Sequence, residues 1–251
     1  MDFSKIKVLV IGGCGGIGTN ICDTLIKHGV KSLGVIDILE ENEAHDHFKG
    51  FLDKNLKEIK FNYMKCQVFE EDSLRKAFIE IGFEDLDILI NAFGIQDERN
   101  YKKMIDVNIT GVISSTLIGI EMMRKNKQSG IIINIGSVVS YRKMFKSPVY
   151  VATKHAVLGF TTSLANQEFY DKTGISFITI CPGATKTSMS VPLEILIQNA
   201  QFPEFSQAII NERCNFSSQS VEVVGKCVIE AILDNSNGSV WECENEIIRK
   251  I

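Results

Sequence analysis

Short, unbroken runs of Val, Ile and Leu recur along the chain. Between them lie longer stretches in which apolar residues return every three or four positions. The runs are KVLVIG (7–12), SLGVID (32–37), IKFNYMKC (59–66), LDILIN (86–91), GIIINIGS (130–137), ISFITICP (175–182) and GSVWEC (238–243). Most lack a strict alternation of apolar and polar residues, which predicts parallel strands covered on both faces. The intervening segments predict helices near 17–28, 40–56, 72–81, 98–126, 148–170 and 219–234. Pro148 behind Ser147 predicts a helix that starts with proline at its first position and serine as its side-chain cap. A repeating strand–helix–strand order predicts one α/β domain over residues 1–251, a doubly wound parallel sheet of about seven strands with helices on both faces.

One segment leaves this rhythm. Three of the four prolines (182, 192 and 203) fall in or beside residues 182–205, among Met189, Val191, Leu193, Ile195, Leu196, Ile197, Phe202 and Phe205. Two readings fit: a helix and loop packed on the core, or an apolar lid near 188–216 over a pocket at the C-terminal edge of the sheet, where such folds bind ligands.

Composition narrows the function classes. With 45% hydrophobic and 23% charged residues and a net charge of −4, the chain has the makings of an ordinary core and no basic footprint for nucleic acid. Acidic and basic residues are interspersed, with no basic block for a membrane surface. No run of about 18 apolar residues is apparent, so no spanning helix is expected. Seven cysteines, an odd number without a C-x-x-C pair, predict free thiols in a reducing, cytoplasmic setting. His45 and His47 lack an obvious third ligand, so no metal site is expected.

Immediately after the first strand comes IGGCGGIGTN, with Gly12, Gly16 and Gly18 leading into a helix. Glycines here let backbone approach a pyrophosphate at the helix N-terminus, so the loop, with Ile17, predicts a Rossmann-type dinucleotide site. Asp37 ends the second strand. Its carboxylate can accept from ribose hydroxyls and would repel a 2′-phosphate, and its neighbour Ile38 is not a basic residue. NAD is therefore expected in preference to NADP.

Further along, SPVYVATKHAVLGF (147–160) sets Tyr150 four residues before Lys154, on one helical face. An ammonium group beside a phenol is expected to lower its proton affinity and make it a usable base near neutral pH.

The glycine loop, this pair, and the segments LIN with Gly94 (89–94), VNITG (107–111), NIGSV (134–138), PVYVATKHA (148–156), CPGATKT (181–187) and NGSVW (237–241) together resemble the short-chain dehydrogenase/reductase family over nearly the whole length. The insect alcohol dehydrogenases and the 15-hydroxyprostaglandin dehydrogenases look most similar. The resemblance implies a catalytic group of Asn108, Ser137, Tyr150 and Lys154, with Asn108 holding a water that links Lys154 to solvent. It implies NAD contacts from Gln67, Val68, Asn91, Gly94, Tyr150 and Lys154. Further contacts would come from Pro182, Gly183, Ala184, Thr185 and Thr187. Substrate contacts are expected from Ser137, Val139, Phe145, Tyr150 and Met189. Gln67 stands where the family carries an aspartate, Ile11 where it carries a threonine, and Phe93 within its Asn-Ala-Gly pattern.

Together these features predict an NAD-dependent oxidoreductase that oxidises an apolar secondary or allylic alcohol, terpenoids included, with Tyr150 as base. Its partners would be that small alcohol or the matching ketone and a second copy of the chain, in a homodimer or homotetramer. Two alternatives are oxidation of a hydroxy-fatty acid, as in the prostaglandin enzymes, and a non-catalytic NAD-binding protein.

Overall fold

A computed structural model describes the chain except for residues 56–58, 84, 127–128 and 214–216 and the side chains of 51–55, 126 and 213. Strands β1 (Lys7–Ile11), β2 (Ser32–Asp37), β3 (Lys60–Lys65), β4 (Ile88–Asn91), β5 (Gly130–Ile135), β6 (Ile175–Pro182), β7 (Val240–Glu244) and β8 (Ile247–Lys250) form one sheet in the order β3-β2-β1-β4-β5-β6-β7-β8. Seven strands run parallel and β8 returns antiparallel. Strand order reverses between β1 and β4, which opens a crevice at their C-terminal ends.

Burial on both faces accounts for the unbroken apolar runs. Val8 and Val10 face a core shared with Ile21 and Leu25 of helix α1 (Gly16–Lys27). Their neighbours Leu9 and Ile11 face the opposite core. Helix α2 (Glu41–Asn55) adds Phe48 to the first core, while α3 (Glu71–Glu80) adds Leu74 and Phe78 to the second. Each fully buried side chain of this size contributes roughly 1.5–3 kcal/mol relative to exposure.

The segment predicted as one helix over 98–126 begins with a 3-10 turn (Glu98–Asn100), continues as α4 (Tyr101–Ile105), widens into a π turn (Asp106–Gly111) and resumes as α5 (Val112–Asn126). By length and composition the run Glu98–Lys125 could cross a bilayer, contrary to the sequence expectation, but 61% of its most apolar window is buried inside the fold and it serves as a core helix.

The helix predicted over 148–170 is two. α6 (Pro148–Leu164) stops where Asn166 turns its side chain back to cap α7 (Gln167–Thr173), accepting from the Phe169 N–H. The lid segment holds α8 (Leu193–Asn199), a 3-10 turn (Pro203–Phe205) and α9 (Ser206–Arg213), and α10 (Glu222–Asp234) follows.

The eighth strand corrects the expected count of about seven. Asn245 and Glu246 both take positive φ (54° and 63°) and close a two-residue hairpin between Glu244 and Ile247. Asn-Glu lacks the glycine that usually marks such a turn, and the four residues IIRK are mostly exposed, so no apolar run signals the strand.

Candidate active site

The nucleotide loop is shaped by close approaches. Gly12 has φ +80°, and a Cβ there would lie 2.6 Å from the Phe93 nitrogen. A Cβ on Gly18 would lie 2.0 Å from the Gly12 oxygen, so the helix can meet the strand only through glycine. A Cβ on Gly16 would stand 2.9 Å from the Thr187 Cγ2, filling the cleft between the loop and residues 182–187. Gly15 caps α1 with no side-chain bond, which leaves its first N–H groups available to an anion. Asp37 is oriented by two backbone donors: Cys14 N–H to Oδ2 at 2.8 Å and Ile38 N–H to Oδ1 at 2.7 Å. An open cleft, an uncapped helix end and a fixed carboxylate fit a dinucleotide.

Next to the loop lies a cavity of about 200 Å³. Of the expected residues, Ile17, Gly94, Ser137, Val139, Tyr150, Lys154, Pro182, Gly183, Ala184, Thr185, Thr187 and Met189 line it. Gly12, Gly16, Gly18, Asp37, Gln67 and Val68 lie outside its walls, along the loop and the ends of β2 and β3. Phe145 is a rim residue, 44% exposed, its ring stacked at 6.1 Å on Phe202 and edge-on at 5.9 Å to Phe205.

Asn91 ends strand β4. Its side chain is buried in the sheet, donating to Asn134 Oδ1 at 2.7 Å and to Thr116 Oγ1 at 3.2 Å, and it does not reach the cavity. Strand register explains this, since Asn91 and Asn134 are direct partners on β4 and β5.

Ser137 follows the end of β5 and caps a short 3-10 turn (Val138–Ser140). Lys154 is 4% exposed, donates to the Ile135 carbonyl at 3.0 Å and lies 5.8 Å from the centre of the Tyr150 ring. Burial pushes this lysine down to about 8. Tyr150 behaves contrary to the sequence expectation. Burial pushes its phenol up to about 12, and the opposing pull comes from a hydrogen bond with the Ser137 hydroxyl. The lysine contacts the ring at a distance while its own charge is spent on a carbonyl. Desolvation therefore outweighs ammonium stabilisation among the protein's own groups.

Asn108 sits in the π turn, a distortion common at functional positions. Its Oδ1 accepts from Ile95 N–H at 2.8 Å, and its Nδ2 donates to Ile95 C=O at 2.9 Å and to Thr153 Oγ1 at 3.1 Å. Both amide hydrogens are thus committed to protein. The side chain clamps Ile95, and Gly94 fits between it and Lys154: a Cβ there would lie 3.3 Å from Asn108 Oδ1 and 3.4 Å from Lys154 Nζ.

Further residues complete the site, of which Gln96, Lys146 and Ser218 carry no signal in the sequence. Gln96, Met144, Lys146, Leu196 and Ser218 also line the cavity. Glu98, 3% exposed, accepts from the N–H groups of Val149 and Tyr150 at 3.1 and 2.8 Å. It performs the capping expected of Ser147, whose hydroxyl instead accepts from Gln96 Nε2 at 2.7 Å. Glu212 of α9 accepts from the N–H groups of Phe145 and Lys146 at 2.7 and 3.1 Å, and Arg99 donates to the Gln198 carbonyl of α8, so the lid segment is tied to the cavity rim. The part of the expected lid at 214–216, with Cys214, lies outside the described residues. His47 Nε2 meets Thr19 Oγ1 at 2.6 Å.

The family model for short chain dehydrogenases matches residues 6–195. Alcohol dehydrogenase 1 of Ceratitis cosyra is 32% identical, over 100% of this chain and 96% of the relative. The 15-hydroxyprostaglandin dehydrogenase [NAD(+)] of Rattus norvegicus is 33% identical over 93% of this chain and 89% of its own. Among solved structures, levodione reductase superposes with a TM-score of 0.80 at 22% identity, covering 96% of this chain and 97% of its own. A gluconate 5-dehydrogenase from Burkholderia cenocepacia, in complex with NADP and tartrate, gives 0.78 at 23%, covering 96% and 94%.

Proposed function

The chain belongs to the short chain dehydrogenase family of oxidoreductases, and from that premise we propose that it is an NAD-dependent alcohol dehydrogenase acting on an apolar secondary or allylic alcohol. The observation that carries this reading is the convergence of Ser137, Tyr150 and Lys154 on one cavity whose other walls include Val138, Val139, Met144, Met189 and Leu196. Burying an unpaired hydroxyl in such walls costs roughly 1–3 kcal/mol, whereas each buried methylene gains up to about 0.8 kcal/mol.

Asp37 supports NAD over NADP, because its carboxylate would repel a 2′-phosphate. The cofactor would lie from Asp37 along Gly12–Gly18 to Thr187. It supplies, when bound, the hydride acceptor and a positive ring. Tyr150 Oη takes the alcohol proton. Ser137 Oγ hydrogen-bonds the substrate oxygen, holds it toward Tyr150 and steadies the phenolate. Lys154, protonated below its value of about 8, adds a positive charge behind the ring. Asn108 fixes the backbone at Gly94–Ile95 that separates it from Lys154.

A second reading, oxidation of a hydroxylated acyl chain bearing a distant polar group, is favoured by Lys146 and Gln96 among the lining residues. The chain is also proposed to pair with itself through α5 and α6, where Leu117 is 45% exposed.

The test is NADH absorbance during turnover of sec-butanol, sec-octanol, geraniol, a hydroxy-fatty acid, glycerol and sorbitol. kcat/KM should rise from sec-butanol to sec-octanol and be negligible for glycerol and sorbitol. Preference for the polyols would overturn the substrate class. NADH binding without turnover of any alcohol would favour a non-catalytic role.

A further inference from the structure

Tyr150 stands near the start of α6, where helix N–H groups have no partner within the helix. Pro148 has no N–H, so Val149 and Tyr150 carry the first free donors. A serine in Ser147's place ordinarily satisfies one of them at little cost. Here both are bound by Glu98, from a segment about fifty residues earlier in the chain. Burying a carboxylate is expensive unless its oxygens are well partnered. Two backbone donors and the positive end of a helix supply that partnering. Burial still raises the Glu98 carboxyl above its ordinary value, with the Tyr150 and Val149 N–H groups pulling it back and Asp97 raising it further.

The carbonyl of Tyr150 is held as well. It accepts from Thr153 Oγ1 at 2.8 Å, and Thr153 Oγ1 accepts from Asn108 Nδ2 at 3.1 Å. Asn108 in turn grips Ile95 through both its N–H and its C=O. The two sides of the Tyr150 backbone are therefore bound to one assembly, Asn108 and the strap 95–98. Gln96 of the same strap lines the cavity and bonds Ser147.

We propose that Glu98 is a positioning residue for Tyr150: its carboxylate holds the first turn of α6 from outside the helix and so sets the phenol against Ser137 and Lys154. The inference rests on the reading of Tyr150 as the proton-transferring group. Among the described residues, the other charged groups about this helix end are Asp97 and Arg99 on the strap, Lys146 before the helix, Glu212 bound to the Phe145 and Lys146 N–H groups, and Lys154 one turn beyond Tyr150.

Glu98→Gln keeps the size and removes the charge, whereas Glu98→Asp keeps the charge and shortens the reach. With sec-octanol as substrate, Glu98→Gln should lower kcat about 10–100-fold through misplacement of the reacting groups, while NADH Kd stays within about two-fold. The carboxylate meets backbone N–H groups and not the phenol, so the acid limb of the kcat/KM profile should stay in place. Glu98→Asp should restore part of kcat, with KM for sec-octanol and NADH Kd unmoved. A role in stability alone would lower Tm while kcat per folded molecule stayed within two-fold of wild type, and that result overturns the proposal. A displaced acid limb would overturn it too, since the charge would then act on the phenol directly. If Tyr150→Phe itself turned over normally, the reading of Tyr150 would fall, while a loss of kcat in Glu98→Gln with NADH Kd unmoved would still place Glu98 behind the reacting groups.

Discussion

On the nucleotide side of the site, the glycine loop packs on itself and on the next strand, although Gly12 also meets Phe93 and Gly16 meets Thr187. The Cys14 N–H reaches Asp37 across 23 positions, and Gly18 packs on Gly12 within a single turn. On the substrate side the residues that meet are far apart in sequence. Glu98 reaches Tyr150 across 52 positions, and Glu212 reaches Phe145 across 67. The first side is fixed by backbone shape, which demands glycine and leaves little freedom in the sequence. The second is fixed by side chains that converge from separate elements, and many residue types could serve there. Damage to the first side should be all-or-none, and damage to the second graded.

The largest effect is expected from Gly18→Val. Its Cβ would fall 2.0 Å from the Gly12 oxygen and 2.8 Å from the Gly13 Cα, with backbone on both sides. No folded protein that binds NADH should result. An NADH Kd within tenfold of wild type, by fluorescence titration, would break the contrast.

Lys154→Met sharpens it on the other side, because it should abolish turnover and yet stabilise the fold. The folded lysine sits at about 8 against an ordinary 10.5. Below pH 8 both folded and unfolded chains carry the proton, and the buried charge is a full penalty. Between about 8 and 10.5 the folded form loses the proton first, so wild-type stability climbs with pH. The methionine variant should gain on the order of 2–3 kcal/mol at pH 7, and the gain should vanish by about pH 10.5. Urea melts across that range check it. A variant less stable than wild type at pH 7 would show that the bond to the Ile135 carbonyl outweighs the buried charge.

Replacing Asp37 by Ser together with Ile38→Arg should shift the NADP/NAD ratio of kcat/KM by about 100-fold, since a repulsive charge is lost and a phosphate partner gained. Wild-type preference for NADP would contradict the assignment of Asp37. The smallest effect is expected at the rim. Phe202→Ala with Phe205→Ala removes two partners of the Phe145 ring. The rise in kcat/KM from sec-butanol to sec-octanol should flatten by roughly three- to tenfold, with NADH binding unchanged. An unaltered series would make the rim a mere packing surface.

The same contrast explains what could be read from sequence. Fully buried strands such as Val8–Ile11 and the glycine loop were legible because burial and backbone approach restrict residue type directly. Tyr150 and Lys154 were legible as a helical pair. Strand β8 was not, since its turn uses Asn245 and Glu246 and its residues are mostly exposed. Glu98 was not, because in QDERN it looks like one more solvated acid, and only the tertiary fold buries it under Tyr150. The direction in which Tyr150 is shifted also escaped. Spacing shows that a lysine is near, but not that its charge is spent on the Ile135 carbonyl while burial dominates. The partner of the Asn91 side chain was not legible either, since strand register sets it against Asn134 across the sheet.

The central claim is that this cavity oxidises alcohols by proton transfer to Tyr150, and Tyr150→Phe tests it most directly. The ring is kept and only the hydroxyl is lost, so NADH fluorescence titration and sec-octanol turnover can be measured on the same preparation. NADH Kd within a few-fold of wild type with kcat reduced by about 10²–10⁴ is the predicted result. Turnover above about a hundredth of wild type, with NADH still bound, would contradict it.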